Sequence, residues 1–250
     1  MASSASAQMF ETEGRAYFPA DISQIEACDN AYINAKKSAM SLAGLERGQF
    51  FTLDICSESD KGTNCSLIQE SISYYDGGYV ASEQRLAEKL TETTPKECIV
   101  NGKFEVRIFK DKPDVNFVLD ASLNQRNFVS GQEVIIEGRV SPKAHISLLS
   151  FDPKTNTLSR IVPNDFDREI IIEDSFQLPS KAQKRRYSLE AYIPENTQSE
   201  EIAEFMVLLA TKKKFDLLDK QTSSNFYKRL DEFGRQNWRK KDLGYTIYRK

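Results

Sequence analysis

The chain has 250 residues, of which 40% are hydrophobic and 28% are charged, and its formal net charge is −3. This length suits one or two domains with a working core, and the small net charge does not indicate polyanion binding by the chain as a whole. Charge is unevenly distributed, because residues 211–250 contain 12 Lys and Arg against 5 Asp and Glu. This basic segment predicts either a solvated helix face packed on an acidic body, or a docking surface for an acidic partner or for membrane headgroups.

The first part of the chain predicts an α+β domain over residues 8–110, with a long helix on a mostly antiparallel sheet. A short strand is expected within residues 8–20. It precedes a helix over 23–43 that starts with a capping box of Ser23 and Glu26 and carries alanine at every fourth position. Further strands are predicted at residues 50–56, 67–75 and 99–109. Residues 80–90 fit a strand or a helix, and both alternatives stay open.

Four cysteines lie in this domain, namely Cys28, Cys56, Cys65 and Cys98. An even number clustered in one domain predicts two disulfides formed in an oxidising compartment, and three pairings can be drawn. Pairing Cys56 with Cys65 would close a short polar loop, and Cys28 with Cys98 would then tie the helix to a later strand. A Cys₄ zinc site, which lacks the usual C-x₂-C spacing, and four free thiols in a cytosolic protein are the alternatives.

The N-terminal residues bear on the compartment. Residues 5–7 read Ala-Ser-Ala before Gln8, the A-x-A form that a signal peptidase cleaves, although no apolar h-region precedes them. One interpretation is an exported protein with a short leader remnant, and a random Ala/Ser tail is the other. No run of residues approaches 18 consecutive apolar positions, so the sequence predicts no transmembrane helix. We therefore expect a periplasmic or extracellular location, with peripheral association with the envelope.

Several strings in this domain carry a family resemblance. They are EGRAYF at 13–18, the alanine-rich helix, the DGG turn at 76–78 and the final strand GKFEVRI. Together they resemble the N-terminal domain of flagellar assembly protein T and the related twenty-kilodalton lipoprotein family. The resemblance covers residues 9–109, and the cysteine-framed loop at 56–65 departs from it. It implies export to the periplasm and a structural role in ring or envelope assemblies, with no catalytic residue to carry over.

Residues 111–250 predict a mainly-β, sandwich-like domain with a C-terminal helix. The charged stretch 110–114 is the expected linker. Seven short strands, typical of a β-sandwich, are predicted at residues 116–119, 134–140, 145–151, 157–162, 169–172, 187–192 and 204–211. An amphipathic helix over 225–238 and an edge strand over 243–248 complete the domain.

The hairpin at the centre of this domain carries a second resemblance. Residues 144–164 contain two apolar runs around an Asp152-Pro153 turn, and the second run ends at Pro163-Asn164. With Gly131 upstream, this stretch resembles an uncharacterised bacterial extracytoplasmic domain whose hairpin ends in Leu-Phe-Pro-Asn. Ile161-Val162 in place of Leu-Phe, and Asn156 in place of the turn glycine, depart from that pattern. The resemblance implies an accessory or interaction module.

Residues suited to catalysis are scarce. His145 is the single histidine, and its place in a predicted strand indicates packing. No nucleotide-binding glycine motif, G-x-S-x-G or HExxH motif occurs. Asp165 and Asp167 form a weak start for a cation site, and a solvated loop is the alternative.

We therefore predict a non-enzymatic, exported envelope protein that acts as a scaffold or interaction component of a periplasmic or surface assembly. Its expected partners are other envelope proteins and further copies of itself, and we expect no cofactor, metal or nucleic acid. The predicted docking residues are Lys212, Lys213, Lys214, Arg239, Lys240 and Lys241. A module that binds a ligand, glycan or peptidoglycan is one alternative, and an enzyme with a carboxylate-based site is another.

Overall fold

A computed structural model describes residues 7–18, 23–45, 77–92, 94–153, 155–197 and 199–250, and gives the backbone alone for 52–59, 62–69 and 74–75. The strands are β1 (Ala7–Tyr17), β2 (Thr52–Ser59), β3 (Gly62–Gln69), β4 (Tyr74–Tyr75), β5 (Gly78–Leu90), β6 (Glu97–Ile108), β7 (Val118–Leu123), β8 (Asn127–Val129), β9 (Ile136–Asp152), β10 (Thr157–Val162), β11 (Ile171–Leu178), β12 (Glu201–Thr211), β13 (Lys220–Thr222) and β14 (Trp238–Tyr248). The helices are α1 (Gln24–Leu42) and α2 (Ser223–Phe233), with 3₁₀ turns at Gln183–Arg185 and Arg235–Asn237. The described chain is mostly β-sheet with two helices, and the predicted sheets and C-terminal helix are present.

The chain divides into two compact units. Unit 1 comprises Met1–Phe51, Gln69–Lys112 and Ser223–Glu232, and unit 2 comprises Thr52–Ile68, Pro113–Thr222 and Phe233–Lys250. Nearly all of α2 therefore belongs to unit 1, so that the chain leaves unit 2 at residue 222 and returns to it at residue 233. The domain ranges 8–110 and 111–250 stay a prediction.

Unit 1 contains a four-stranded sheet with the order β1-β6-β5-β4, in which the neighbouring strands are antiparallel. Helix α1 is capped by Ser23, whose Oγ accepts the Glu26 N–H at 3.2 Å. Its fully buried alanines allow a close approach to β1, where Thr12 Oγ donates to the Ala35 carbonyl at 2.7 Å. A Cβ atom on Gly14 would lie 2.0 Å from the Ala31 carbonyl oxygen, so only glycine fits at this point of β1.

Unit 2 is organised around β9, which pairs with neighbours along both of its edges. His145 is opposite Thr211 of β12 and also opposite Ile171 of β11, so β12 and β11 lie on opposite edges. A residue of β9 that faces two strands has one on each edge, so β10 and β11 lie along one edge of β9, and β12 and β7 lie along the other. Strand β14 then joins β12 to β8, and β2 pairs with β3 in a separate two-stranded sheet. The main core of the unit includes Phe128, Ile146, Leu148, Leu208 and Ile247.

Some elements differ from the sequence-based expectation, and each has a local reason. The helix predicted over 225–238 ends at Phe233, because Gly234 has φ +91 and breaks the helical backbone. Trp238 therefore begins β14 instead of closing the helix. The edge strand predicted over 243–248 is part of β14, and it lies inside the sheet between β12 and β8. In place of a strand at 187–192, the structure has an isolated bridge between Glu133 and Glu190.

The segment that fitted both a strand and a helix is a strand, since residues 80–90 lie within β5. Its partner β6 is the closing strand predicted at 99–109, and it begins two residues earlier, at Glu97. Of the described helices, none combines the length and the apolar character that crossing a membrane requires.

Candidate docking surface

The two basic segments predicted to dock a partner meet at one end of unit 2. Strands β12 and β14 are antiparallel, with Thr211 opposite Trp238, and the Lys212 N–H donates to the Asn237 carbonyl at 2.9 Å. Residues 212–214 therefore leave β12 where residues 239–241 enter β14. Antiparallel pairing thus places side by side two segments that are more than twenty residues apart in sequence.

Lys212 and Arg239 both contact Asp114, which lies at the start of the segment of unit 2 that begins at Pro113. The Lys212 ammonium forms an ion pair with the Asp114 carboxylate, and the Arg239 guanidinium donates to the Asp114 carbonyl. Both cations also lie over the buried ring of Phe117, at 5.5 Å and 6.0 Å from its centroid. The hydrogen bond from Lys212, followed by that from the Asn116 N–H, holds the pKa of Asp114 below its usual value.

Lys240 and Lys241 alternate along β14 and so point to opposite faces of the sheet. Lys240 lies opposite Leu209, keeps 5% of its side chain exposed and pairs with Asp242. Lys241 lies opposite Leu208, and its Nζ is 3.7 Å from the Asp120 carboxylate. Lys240 is thus nearly inaccessible to a partner, whereas Lys241 remains at the surface.

Lys213 and Lys214 are the most open cations of the group. Both are exposed, and no described residue forms an ion pair with either. Val115, next to the anchoring Asp114, is 84% exposed. We define the basic surface as the exposed residues Lys213, Lys214 and Val115 together with the partly exposed Lys241, whose charge Asp120 partly offsets. It combines positive charge with one apolar side chain.

The predicted cysteine pairing is observed for one pair. Cys28 on α1 and Cys98 on β6 form a disulfide with an S–S distance of 2.00 Å and a Cα–Cα distance of 5.1 Å. The bond occupies two of the four thiols that a Cys₄ zinc site would require. The side chains of Cys56 and Cys65 lie outside the described residues, so their pairing stays a prediction.

The remaining polar candidates are held by contacts within unit 2. His145 is partly buried, and its Nδ1 is 3.3 Å from a Glu169 carboxylate oxygen. Asp167 forms an ion pair with Arg186 at 2.5 Å, and its N–H donates to Asn164 Oδ1. These contacts account for the fold of the loop between β10 and β11.

A row of acidic and phenolic side chains went unpredicted. Glu204 of β12 lies opposite Tyr245 of β14, and continuation of the β9–β12 register places Asp152 on its other side. Burial, and then the charge of Asp152, raises the pKa of Glu204, and burial followed by the charge of Glu204 raises the pKa of Tyr245. Strand alternation with the buried Met206 and Leu208 could have revealed that Glu204 faces the core.

Comparison with protein-family models found no match to the chain, and comparison with curated proteins found none either.

Proposed function

We propose that the protein is a non-enzymatic, exported component of a bacterial envelope assembly, and that it docks an acidic segment of another envelope protein on the basic surface. The observation that carries the proposal is the convergence of the two basic segments at the paired ends of β12 and β14. Four of the six predicted cations are bonded to groups within unit 2, which fixes the backbone beneath the two that remain open, Lys213 and Lys214.

The charge arrangement suits an acidic protein segment. An exposed ion pair contributes little on its own, but a fixed cluster of like charges steers an oppositely charged partner and sets its orientation. Val115 adds an apolar contact beside the charges, as is usual in protein interfaces, where apolar contacts sit within a polar rim.

The Cys28–Cys98 disulfide supports export. Disulfides form and persist in the periplasm and outside the cell, whereas the cytosol keeps thiols reduced. The finer fold assignment belongs to the same proposal: a helix-on-sheet unit 1 and a sandwich-like unit 2 would act as two interaction modules.

A direct test uses a fluorescent peptide of alternating Glu and Ser and measures its binding by anisotropy at low and high salt. We expect the Lys213→Glu/Lys214→Glu variant to bind roughly 2- to 30-fold more weakly at low salt, because two exposed pairs contribute about 0.2–1 kcal/mol each. Lys143→Glu/Lys181→Glu is the matched control, since both lysines are exposed and belong to the same unit. It should bind the peptide with an affinity closer to that of the wild type.

The same variants separate a protein partner from a lipid one. Photo-crosslinking from position 115 in intact cells should capture an envelope protein, and the capture should weaken in the Lys213→Glu/Lys214→Glu variant. Equal loss of peptide binding in variant and control would overturn the docking site. Crosslinks to lipid alone, together with cosedimentation with anionic vesicles, would overturn the choice of a protein partner.

A further inference from the structure

Among the described strands of unit 1, β1 has a neighbour along one edge only, and its other edge differs from the long outer edge of β5. Strand β1 is the first strand in the sheet order, and it pairs with β6 over eleven consecutive residues without a register shift. Strand β5 has two register shifts, at residues 80–82 and 85–87, and such bulges discourage a further strand from pairing. The regular edge of β1 is therefore the better template for strand addition.

The hydrogen bonds at the end of β1 show which backbone groups point outward. The Phe18 N–H donates to the Lys96 carbonyl at 2.8 Å, so even-numbered residues exchange hydrogen bonds with β6. The N–H and carbonyl groups of odd-numbered residues, from Ala7 to Tyr17, therefore point to the open edge. In the described part of the chain, the bond seen at this edge is the one that Asn34 Nδ2 donates to the Arg15 carbonyl, at 2.9 Å.

The side chains of the same odd-numbered residues form a distinct pattern on the face away from α1. Met9 and Tyr17 are 55% and 64% exposed, and they lie at the two ends of the row. Glu11, Glu13 and Arg15 lie between them, and the Arg15 guanidinium is 2.8 Å from Glu13. The row thus has an apolar residue at each end, and on either side of the central Glu13 it has a negative residue, Glu11, and a positive one, Arg15.

We propose that two copies of the chain pair antiparallel through β1, with Glu13 on the two-fold axis, to give one continuous sheet. In this register Met9 lies opposite Tyr17 of the second copy, and Glu11 lies opposite Arg15 of the second copy. Each dimer then has two apolar pairs and two ion pairs across the axis. The one unfavourable pair is Glu13 with its own copy, and both Arg15 side chains flank it.

Two neighbouring registers also pair odd residues with odd residues, and they are poorer. Centring the axis on Thr12 sets Glu11 against Glu13 twice and leaves both Arg15 side chains opposite Met9. Centring it on Gly14 pairs Glu13 with Arg15 but sets each Tyr17 against Glu11 and leaves Met9 beyond the paired residues. The second copy of the chain therefore fits best with the axis at Glu13.

Sedimentation equilibrium measures the dimer and also distinguishes the registers. Glu13→Gln removes the like-charge pair and should tighten the dimer about two- to fivefold, whereas the register centred on Gly14 would make the same change weaken it. Arg15→Glu should weaken the dimer roughly tenfold or more, and Glu11→Arg/Arg15→Glu should restore it, because the double variant rebuilds both ion pairs in reverse. Lys89→Glu, an exposed change on β5, is the control and should leave the dimer unchanged.

Circular dichroism of each variant confirms that unit 1 remains folded. A wild-type protein that sediments as a monomer at every concentration, or a dimer that Glu13→Gln weakens, would overturn the proposal. A dimer that Lys89→Glu disrupts would move the contact to β5 and overturn it as well. These outcomes are independent of the basic surface, which lies in unit 2.

Discussion

The disulfide of unit 1 offers the sharpest test of compartment and stability together. Cys28 and Cys98 are 70 positions apart, and a cross-link over such a loop removes enough chain entropy from the unfolded state to stabilise the fold by about 4 kcal/mol at 25 °C. Both residues are also buried beside Ala31 and Val100, so Cys28→Ala/Cys98→Ala loses packing as well. Domains of this size are stable by about 5–15 kcal/mol, so the change removes a large part of the total.

Hydrogen exchange followed by mass spectrometry measures the loss where it occurs. Peptides from α1 and β6 should exchange much faster in the Cys28→Ala/Cys98→Ala variant than in the wild type, and a urea titration should give the free energy of unfolding. Cys56→Ala/Cys65→Ala is the matched control. If those residues close the predicted short loop, the same entropy argument gives them about 2.5 kcal/mol, less than the long loop.

Thiol counting completes the experiment. Protein purified without reductant should show no reactive thiol at positions 28 and 98 after unfolding. Free thiols there would refute the disulfide and, with it, the main support for export. A loss below about 1 kcal/mol in the double variant would instead refute the loop-entropy magnitude.

Two further changes test packing and burial. Gly14→Ala should destabilise unit 1 by about 3 kcal/mol in urea titration, since the new methyl group would meet the Ala31 backbone, which cannot move aside as a flexible side chain could; a change near zero would show that α1 shifts freely. Glu204→Gln should raise the free energy of unfolding at neutral pH and lose that advantage as the solution is acidified. The folded-state pKa of Glu204 is raised, so ionising the carboxylate opposes folding above the unfolded pKa; equal effects at both pH values would contradict this.

Much of unit 1 follows from local sequence. The alanine repeat of α1 marks a helix face that can approach a backbone closely, and Ser23 with Glu26 marks its start. Both signals depend only on residues three or four positions apart, so they can be recognised from the sequence of one chain. The strand alternation in β6 is read in the same way, because Val100, Phe104 and Val106 are buried on one face.

The docking surface could not be predicted from the sequence alone, because it depends on how β12 and β14 pair. The sequence identifies the two basic segments, but no local sequence pattern predicts that Thr211 lies opposite Trp238. The same register decides that the side chain of Lys240 is nearly buried while that of Lys241 stays partly exposed. The sequence predicts a linker at 110–114, whereas Asp114 contacts Lys212, which lies about a hundred positions away. Long-range register is a tertiary property that propensity and periodicity do not contain.

Self-pairing through β1 and docking on the basic surface have a joint consequence that neither has alone. A dimer formed through β1 carries two copies of the basic surface, and a partner repeated in an array could then engage both. Arg15→Glu should therefore leave the affinity for a single acidic peptide in solution unchanged but lower the affinity for the same peptide at high density on a sensor surface by roughly tenfold or more. Lys213→Glu/Lys214→Glu should lower both affinities. Equal binding of Arg15→Glu and wild type to the dense surface would show that the dimer, even where it forms, does not act as a bivalent binder.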